Sequence, residues 1–130
     1  LEDVELTLMN WEVVPEAYYN QIMELKNDYN NPVIYLTENG CSYPDKIENG
    51  KINDEKRIEF YKKYLAAVKK SIDEGADVRG YMTWTLMDNF EWALGFEKRF
   101  GLIHVDFETL KRTPKESYYF YRDLINNNGF

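Results

Sequence analysis

The sequence predicts an α/β fold of βα units around a parallel sheet, with the sheet itself incomplete. Three observations predict it. Helical and strand-like segments alternate as helix, strand, helix, strand, helix, the rhythm of parallel strands joined by crossover helices. The first strand segment, Val33-Ile34-Tyr35-Leu36, is a short continuous apolar run, as expected of a strand covered on both faces. The chain has 130 residues, enough for one domain. It holds only two such strands, and a closed barrel of eight βα units takes about 250 residues or more.

Each element has its own signal. Val14-Pro15-Glu16 opens the first helix, since proline suits the first helical position and an acid suits the positive end of the dipole. Tyr18, Ile22, Leu25 and Tyr29 follow at the spacing of one helix face, and Asn30-Asn31-Pro32 stops it. The strand over 33–36 runs into the polar Thr37-Glu38-Asn39-Gly40. A loop with a turn signal at Asn49-Gly50 comes next. Asp54 is placed to cap a helix over about 55–74, closed by Gly75, with Tyr61, Leu65, Val68 and Ile72 as its buried stripe. The acidic and basic residues from Asp54 to Lys63 read as a solvated helix face. Val78 to Leu86 reads as the second strand, rich in Val, Tyr, Thr and Trp. Thr113-Pro114-Lys115-Glu116 carries the capping-box pattern for a last helix reaching about Asn126.

Composition excludes several classes of function. The net charge is −7 and no Lys/Arg run stands apart, so the basic footprint of a nucleic-acid binder is absent. One cysteine, Cys41, cannot build a disulfide framework or a thiolate zinc site, and one histidine, His104, cannot build a His-rich metal centre. No cofactor is expected. Nothing approaches the ~20 apolar residues of a membrane span, and Leu1-Glu2-Asp3-Val4-Glu5 lacks the character of a signal peptide. The expected location is cytoplasmic. Cys41 has no basic neighbour and reads as a packed thiol. His104, in an apolar-alternating stretch, reads as structural, as does Asp106.

The chemistry gathers at two strand ends. In βα barrels the site lies at the C-terminal ends of the strands, which is where Glu38 falls. The second strand ends in Trp84-Thr85-Leu86-Met87-Asp88-Asn89-Phe90-Glu91-Trp92. Carboxylates among aromatic rings are the ingredients for cleaving glycosidic bonds: one carboxyl group protonates the leaving oxygen and another attacks the sugar or activates water. The same residues also admit a plain structural reading, with Glu38 capping a loop, Asp88 and Glu91 starting a helix and the Trp rings filling core.

The wording of these segments goes further. Ile34-Tyr35-Leu36-Thr37-Glu38-Asn39-Gly40 closely resembles the nucleophile motif of family 1 β-glycosidases. Gly80 to Trp92 resembles that family's last-strand signature. Gly95 to Phe107, Arg112 to Ser117 and Asn10-Trp11-Glu12-Val13-Val14-Pro15 match further segments, in order and over nearly the whole chain. The resemblance implies the C-terminal βα units of a (β/α)8 TIM barrel, with residues 1–130 running from about its sixth helix to its eighth.

It also implies roles. Glu38 would be the nucleophile of a retaining β-glucosidase, with β-galactosides and β-fucosides as further substrates. Trp84 would be the platform beneath the sugar. Glu91 would accept hydrogen bonds from its far hydroxyls, near O4 and O6, and Trp92 would donate to a hydroxyl nearby. Phe100 would line the pocket, and Asn39 would support the nucleophile loop. The sequence departs from the complete family in lacking the Asn-Glu-Pro motif that carries the acid/base. The family's sugar-holding Gln and His, and its Tyr beside the nucleophile, also lie upstream of these motifs. The expected partners are therefore a β-glucoside or oligosaccharide substrate and a complementary N-terminal barrel portion. A 6-phospho-β-glycosidase is the competing activity, and an inactive, sugar-binding or structural barrel piece is the competing class. The resemblance argues against promoting Asp88 or Glu91 to the vacant acid/base role.

Overall fold

The computed structural model describes residues 4–129. Leu1, Glu2 and Asp3, part of the stretch read above as unlike a leader, lie outside the described residues, as does Phe130. Three helices, α1 (Pro15–Asp28), α2 (Glu55–Asp73) and α3 (Glu116–Asn127), accompany strands β1 (Ile34–Asn39) and β4 (Val78–Thr83). β1 and β4 pair in parallel, with Ile34 opposite Val78, Leu36 opposite Tyr81 and Asn39 opposite Thr83. α2 is the crossover between them, so the expected βαβ unit is present. Two small antiparallel ribbons fill the connections: β2 (Ile47–Glu48) with β3 (Lys51–Ile52), and β5 (Ile103–Val105) with β6 (Arg112–Pro114). The first ribbon turns at Asn49 and Gly50, both at positive φ, the combination a tight hairpin requires.

α1 and α2 cover one face of the strand pair. Ile22 of α1, Ile34 of β1, Val68 of α2 and Ala76 form one apolar cluster, joined by Leu36 and Val78. A second, aromatic cluster lies toward the strands' C-terminal ends, with Phe60, Tyr61 and Tyr64 of α2 against Val13, Cys41, Tyr43 and Leu102.

Several expectations are corrected here. β1 is not covered on both faces, because Tyr35 is exposed. Tyr29 falls after α1 ends and is exposed. The buried stripe of α2 holds at Tyr61 and Val68, with Leu65 packed against the core, but not at Ile72, which is exposed; Arg57, Phe60, Tyr64 and Ser71 widen the buried face. The span from Asp54 to Lys63 is therefore not a uniformly solvated face, since Asp54 and Arg57 are both interior. The capping box at Thr113 does not form. Thr113 and Pro114 belong to β6, and Lys115 takes the cap position of α3 without a side-chain cap bond. Asp54 caps α3 instead: its carboxylate accepts from the Ser117 backbone N–H at 2.8 Å and from the Ser117 hydroxyl, satisfying a donor that the helix start leaves open.

Candidate active site

β1 delivers Glu38 at its C-terminal end, and β4 delivers Trp84 beside it. The two strand ends are tied together at backbone level. The Trp84 N–H donates to the Asn39 carbonyl at 2.8 Å, and the Tyr81 hydroxyl donates to Asn39 Oδ1 at 2.6 Å. Asn39 is thus a support for the Glu38 loop. Gly40 explains the end of the Thr-Glu-Asn-Gly run: a Cβ there would lie 1.7 Å from the Trp84 carbonyl oxygen, so only glycine lets the two loops approach this closely. The Trp84–Thr85 peptide is cis.

After β4 the chain makes a long loop before returning as β5. Asp88 pins both ends of that loop. Its Oδ1 accepts from the Gly101 N–H at 2.9 Å and from Lys115 Nζ at 3.0 Å. Its Oδ2 accepts from Arg99 Nη1 at 2.7 Å and from the Val105 N–H at 3.3 Å. Burial raises the Asp88 pKa, but the Lys115 ammonium and Arg99 guanidinium outweigh it and hold the carboxyl below the ordinary range. A carboxylate saturated by four donors has no lone pair to offer a substrate, so Asp88 is structural.

The loop it pins carries Glu91, Trp92 and Phe100 over the strand ends. A cavity of about 410 Å³ results, and Glu38, Trp84, Glu91, Trp92 and Phe100 all line it. All five residues singled out in the sequence meet in one place. Their environments differ. Phe100 is fully buried, whereas Trp92 stands 81% exposed at the rim, with its backbone at φ 44°. Glu91 has a buried Oε2 with no hydrogen-bond partner among the described residues, a condition that is costly unless a ligand or water relieves it.

The same cavity contains residues that the sequence did not flag as site residues, among them Trp11, Glu12 and Tyr64. Trp11 and Glu12 lie in a segment read only as the lead into α1. The Trp11 ring approaches Phe100 at 6.1 Å between centroids, and the Thr7 hydroxyl holds the turn by accepting from the Met9 and Trp11 N–H groups. An exposed Trp beside an acid was the signal available. Tyr64 gave none, being indistinguishable from the aromatic core of α2.

Beneath the cavity lies a cluster of buried charge. Asp45, Asp54 and Asp88 meet Arg57, Lys115 and Arg99, with His104 alongside. Carboxylate oxygens of Asp45 and Asp88 and a ring nitrogen of His104 lie within 4.8 Å of one another, a spacing a metal ion could bridge. Lys115 Nζ already sits 2.6 Å from Asp45 and 3.0 Å from Asp88, so the cationic position is taken by an ammonium group. Burial, then the nearby Arg99, push the His104 pKa down, which favours its neutral form. Cys41 is fully buried, and burial pushes its thiol up to about 12. It is inert packing, next in sequence to Gly40.

The family model described as "Glycosyl hydrolase family 1" matches residues 2–130 of the chain. A β-glucosidase A of Acetivibrio thermocellus is 47% identical over 131 residues, covering 100% of this chain and 29% of its own length. A 6-phospho-β-galactosidase of Streptococcus equi subsp. zooepidemicus is also 47% identical, over 94% of this chain and 26% of its own. Among solved structures, a family 1 β-glucosidase from Thermotoga maritima superimposes with a TM-score of 0.96 at 42% identity, covering 100% of this chain and 30% of that one. The chain thus spans about 30% of the length of the relatives it matches, and its two parallel strands and three helices are an α/β part of a TIM barrel. No helix among the described residues is long and apolar enough to cross a membrane.

Proposed function

Because the chain belongs to glycosyl hydrolase family 1, we propose that it supplies the nucleophile and part of the sugar site of a retaining β-glucosidase. The carrying observation is the single cavity that gathers Glu38, Trp84, Glu91, Trp92 and Phe100, with a buried Glu91 oxygen lacking a partner.

In this reading ionised Glu38 attacks the anomeric carbon. The glycosidic bond breaks, the leaving oxygen takes a proton from a separate acid, and a glycosyl ester forms on Glu38. Water, deprotonated by that same group, then displaces the sugar with net retention. The two carboxyl groups of a retaining pair stand roughly 5–5.5 Å apart. Asp88 is excluded from the partner role by its saturation, and Glu91 is reserved for the sugar. The family resemblance assigns the acid to an Asn-Glu-Pro segment that this sequence lacks, on the complementary N-terminal portion of the barrel. Trp84 offers a flat apolar face to the sugar ring. Glu91 Oε2 accepts from sugar hydroxyls, and Trp92 donates its indole N–H at the rim. Phe100 closes the wall behind them.

On the same reading α1, β1, α2, β4 and α3 are the sixth helix, seventh strand, seventh helix, eighth strand and eighth helix of the barrel. That accounts for the exposed Tyr35 and Met82 on the uncovered sheet face, which the remaining strands would enclose. It also accounts for a second cavity of about 420 Å³ between the β4 edge and α3, lined by Leu86, Leu102, Tyr118 and Ile125. Alone, the chain is expected to be inactive and prone to association through these edges.

A 6-phospho-glycoside is the second reading, favoured by the 47% identity to the streptococcal enzyme. The cavity wall opposes it. Among the described residues Glu12, Glu38 and Glu91 line the cavity, and no Lys or Arg does, so this part of the site repels a phosphate dianion. Comparing hydrolysis of an aryl glucoside with its 6-phosphate decides between them, and faster cleavage of the phosphate would reverse the assignment.

The decisive experiment is intact mass after exposure to an activated 2-fluoro-glucoside, which traps a retaining nucleophile as a stable ester. One fluoroglucosyl adduct per chain, mapped to Glu38, is expected for the full-length protein. An adduct on another residue would remove Glu38 from the role.

A further inference from the structure

Resting on the reading just given, we propose that Arg57 is a positioning residue for the reaction, setting the spacing between the Glu38 loop and the loop that carries Glu91, Trp92 and Phe100. The guanidinium is fully buried and reaches both loops at once. Toward the Glu38 side, Nη1 bonds Asp45 Oδ1 at 3.1 Å, and Nε makes a longer contact of 3.5 Å with the Cys41 carbonyl. Toward the sugar side, Nη2 donates to the Arg99 carbonyl at 2.9 Å, one residue before Phe100. Asp54 holds the fork from below as an ion pair within the same helix end.

Among the described residues, no other α2 side chain hydrogen-bonds to both loops. Tyr61 reaches Thr83 and the Trp84 carbonyl, which fixes the platform but neither flanking loop. The planar fork matters because four groups in different directions are held by one rigid cation, whereas a lysine offers three rotatable donors from a single nitrogen. Removing it frees the two halves of the cavity to move relative to each other. A displacement of about 1 Å between reacting groups can cost on the order of 10²-fold in rate.

The test uses the full-length protein with Arg57→Met and Arg57→Lys, alongside Ile22→Ala, which damages the apolar core away from the cavity. Each is assayed well below its own unfolding temperature, with active sites counted by 2-fluoro-glucoside trapping. Arg57→Met is expected to trap to full stoichiometry but on the order of 10²-fold more slowly. Its kcat and kcat/KM should fall together, as for interactions made in the transition state. Arg57→Lys should lose about 10-fold, keeping the charge but not the bridge, and carries the test if Arg57→Met fails to fold. Ile22→Ala should keep wild-type kinetics per trapped site despite its lower stability. Wild-type kinetics per trapped site in Arg57→Lys, or an equal loss in Ile22→Ala, would overturn the inference. A wild-type protein that traps no label would defeat the β-glucosidase reading itself, a separate failure.

Discussion

Asp88 and Glu91 are acids three residues apart on one loop, and their surroundings are opposite. Asp88 accepts from four donors and is closed off from solvent. Glu91 keeps a buried oxygen with no partner among the described residues, in a wall of the cavity. The first arrangement completes a structure, and the second leaves the acceptor that the proposed sugar contact would use. The contrast extends to the whole neighbourhood. Among the described residues, the floor of the site is a charge cluster in which three acids are matched by three cations, whereas the cavity above is lined by three acids and no cation. Partnering, more than residue type, separates the part that builds the site from the part that works.

The largest expected effect lies on the cavity side. Glu38→Gln in the full-length enzyme should lower kcat by roughly 10⁴-fold or more, in line with the loss of other covalent nucleophiles, while leaving the unfolding temperature nearly unchanged. Steady-state hydrolysis of an aryl glucoside with parallel thermal melts checks it. A near-normal rate would break the division between floor and cavity at its most important residue.

On the floor the balance should reverse. Asp88→Asn leaves Lys115 and Arg99 without their shared anion, and breaking a buried pair costs roughly 3–5 kcal/mol. Denaturant unfolding of the full-length protein measures it. The pH dependence follows from the depressed pKa of Asp88. A carboxyl held below its unfolded value contributes stability that is present above about pH 4 and lost as pH falls through the folded pKa. Wild type should therefore lose stability on the acid side more steeply than Asp88→Asn. Parallel acid limbs would mean Asp88 is not charged in the folded protein.

Glu91→Gln tests the same contrast at intermediate size. It retains shape and removes charge, so sugar hydroxyls lose a charge-assisted bond of about 1.5–3 kcal/mol, or roughly 10- to 150-fold in kcat/KM. Stability should hold or rise slightly, because the buried, unpartnered position no longer carries a charge. A stability loss comparable to that of Asp88→Asn would place Glu91 with the floor.

Much of this was legible in the sequence, and the part that was not has a physical cause. Helix starts and strand runs are local, so Pro15, the apolar 33–36 segment and the start of the second strand at Val78 declared themselves, although the strand read to Leu86 ends at Thr83. Gly40 stood in a recognisable motif because steric contact with Trp84 leaves no alternative. The charge cluster was not legible. Asp54 and Ser117 are 63 positions apart, Arg57 and Arg99 42 apart, and such pairing leaves no periodicity. Arg57 looked like part of a solvated face and Lys115 like part of a capping box, since a charge on a helix is ordinarily outside. Trp11 and Glu12 were quoted only as a family-like segment, because their place in the cavity depends on a turn held by the Thr7 hydroxyl.

The smallest effect expected is on an ion pair outside both regions, and it supplies the scale for the others. Lys69 and Asp73 are bonded at 2.6 Å, one helical turn apart on α2, but both side chains are largely exposed. Water screens the attraction, and ordering two long side chains offsets most of what remains, so such a pair contributes only about 0.3–0.5 kcal/mol. Lys69→Ala should therefore shift stability within that margin, and added salt should erase the difference. The distances in this pair and in the Asp88 cluster are alike, so geometry alone would rank them together. A tenfold gap between Asp88→Asn and Lys69→Ala would show that solvent exclusion gives the floor its strength. Equal losses would mean the buried charges are wetter than their burial implies, and the floor would then be a poor anchor for the loops it holds.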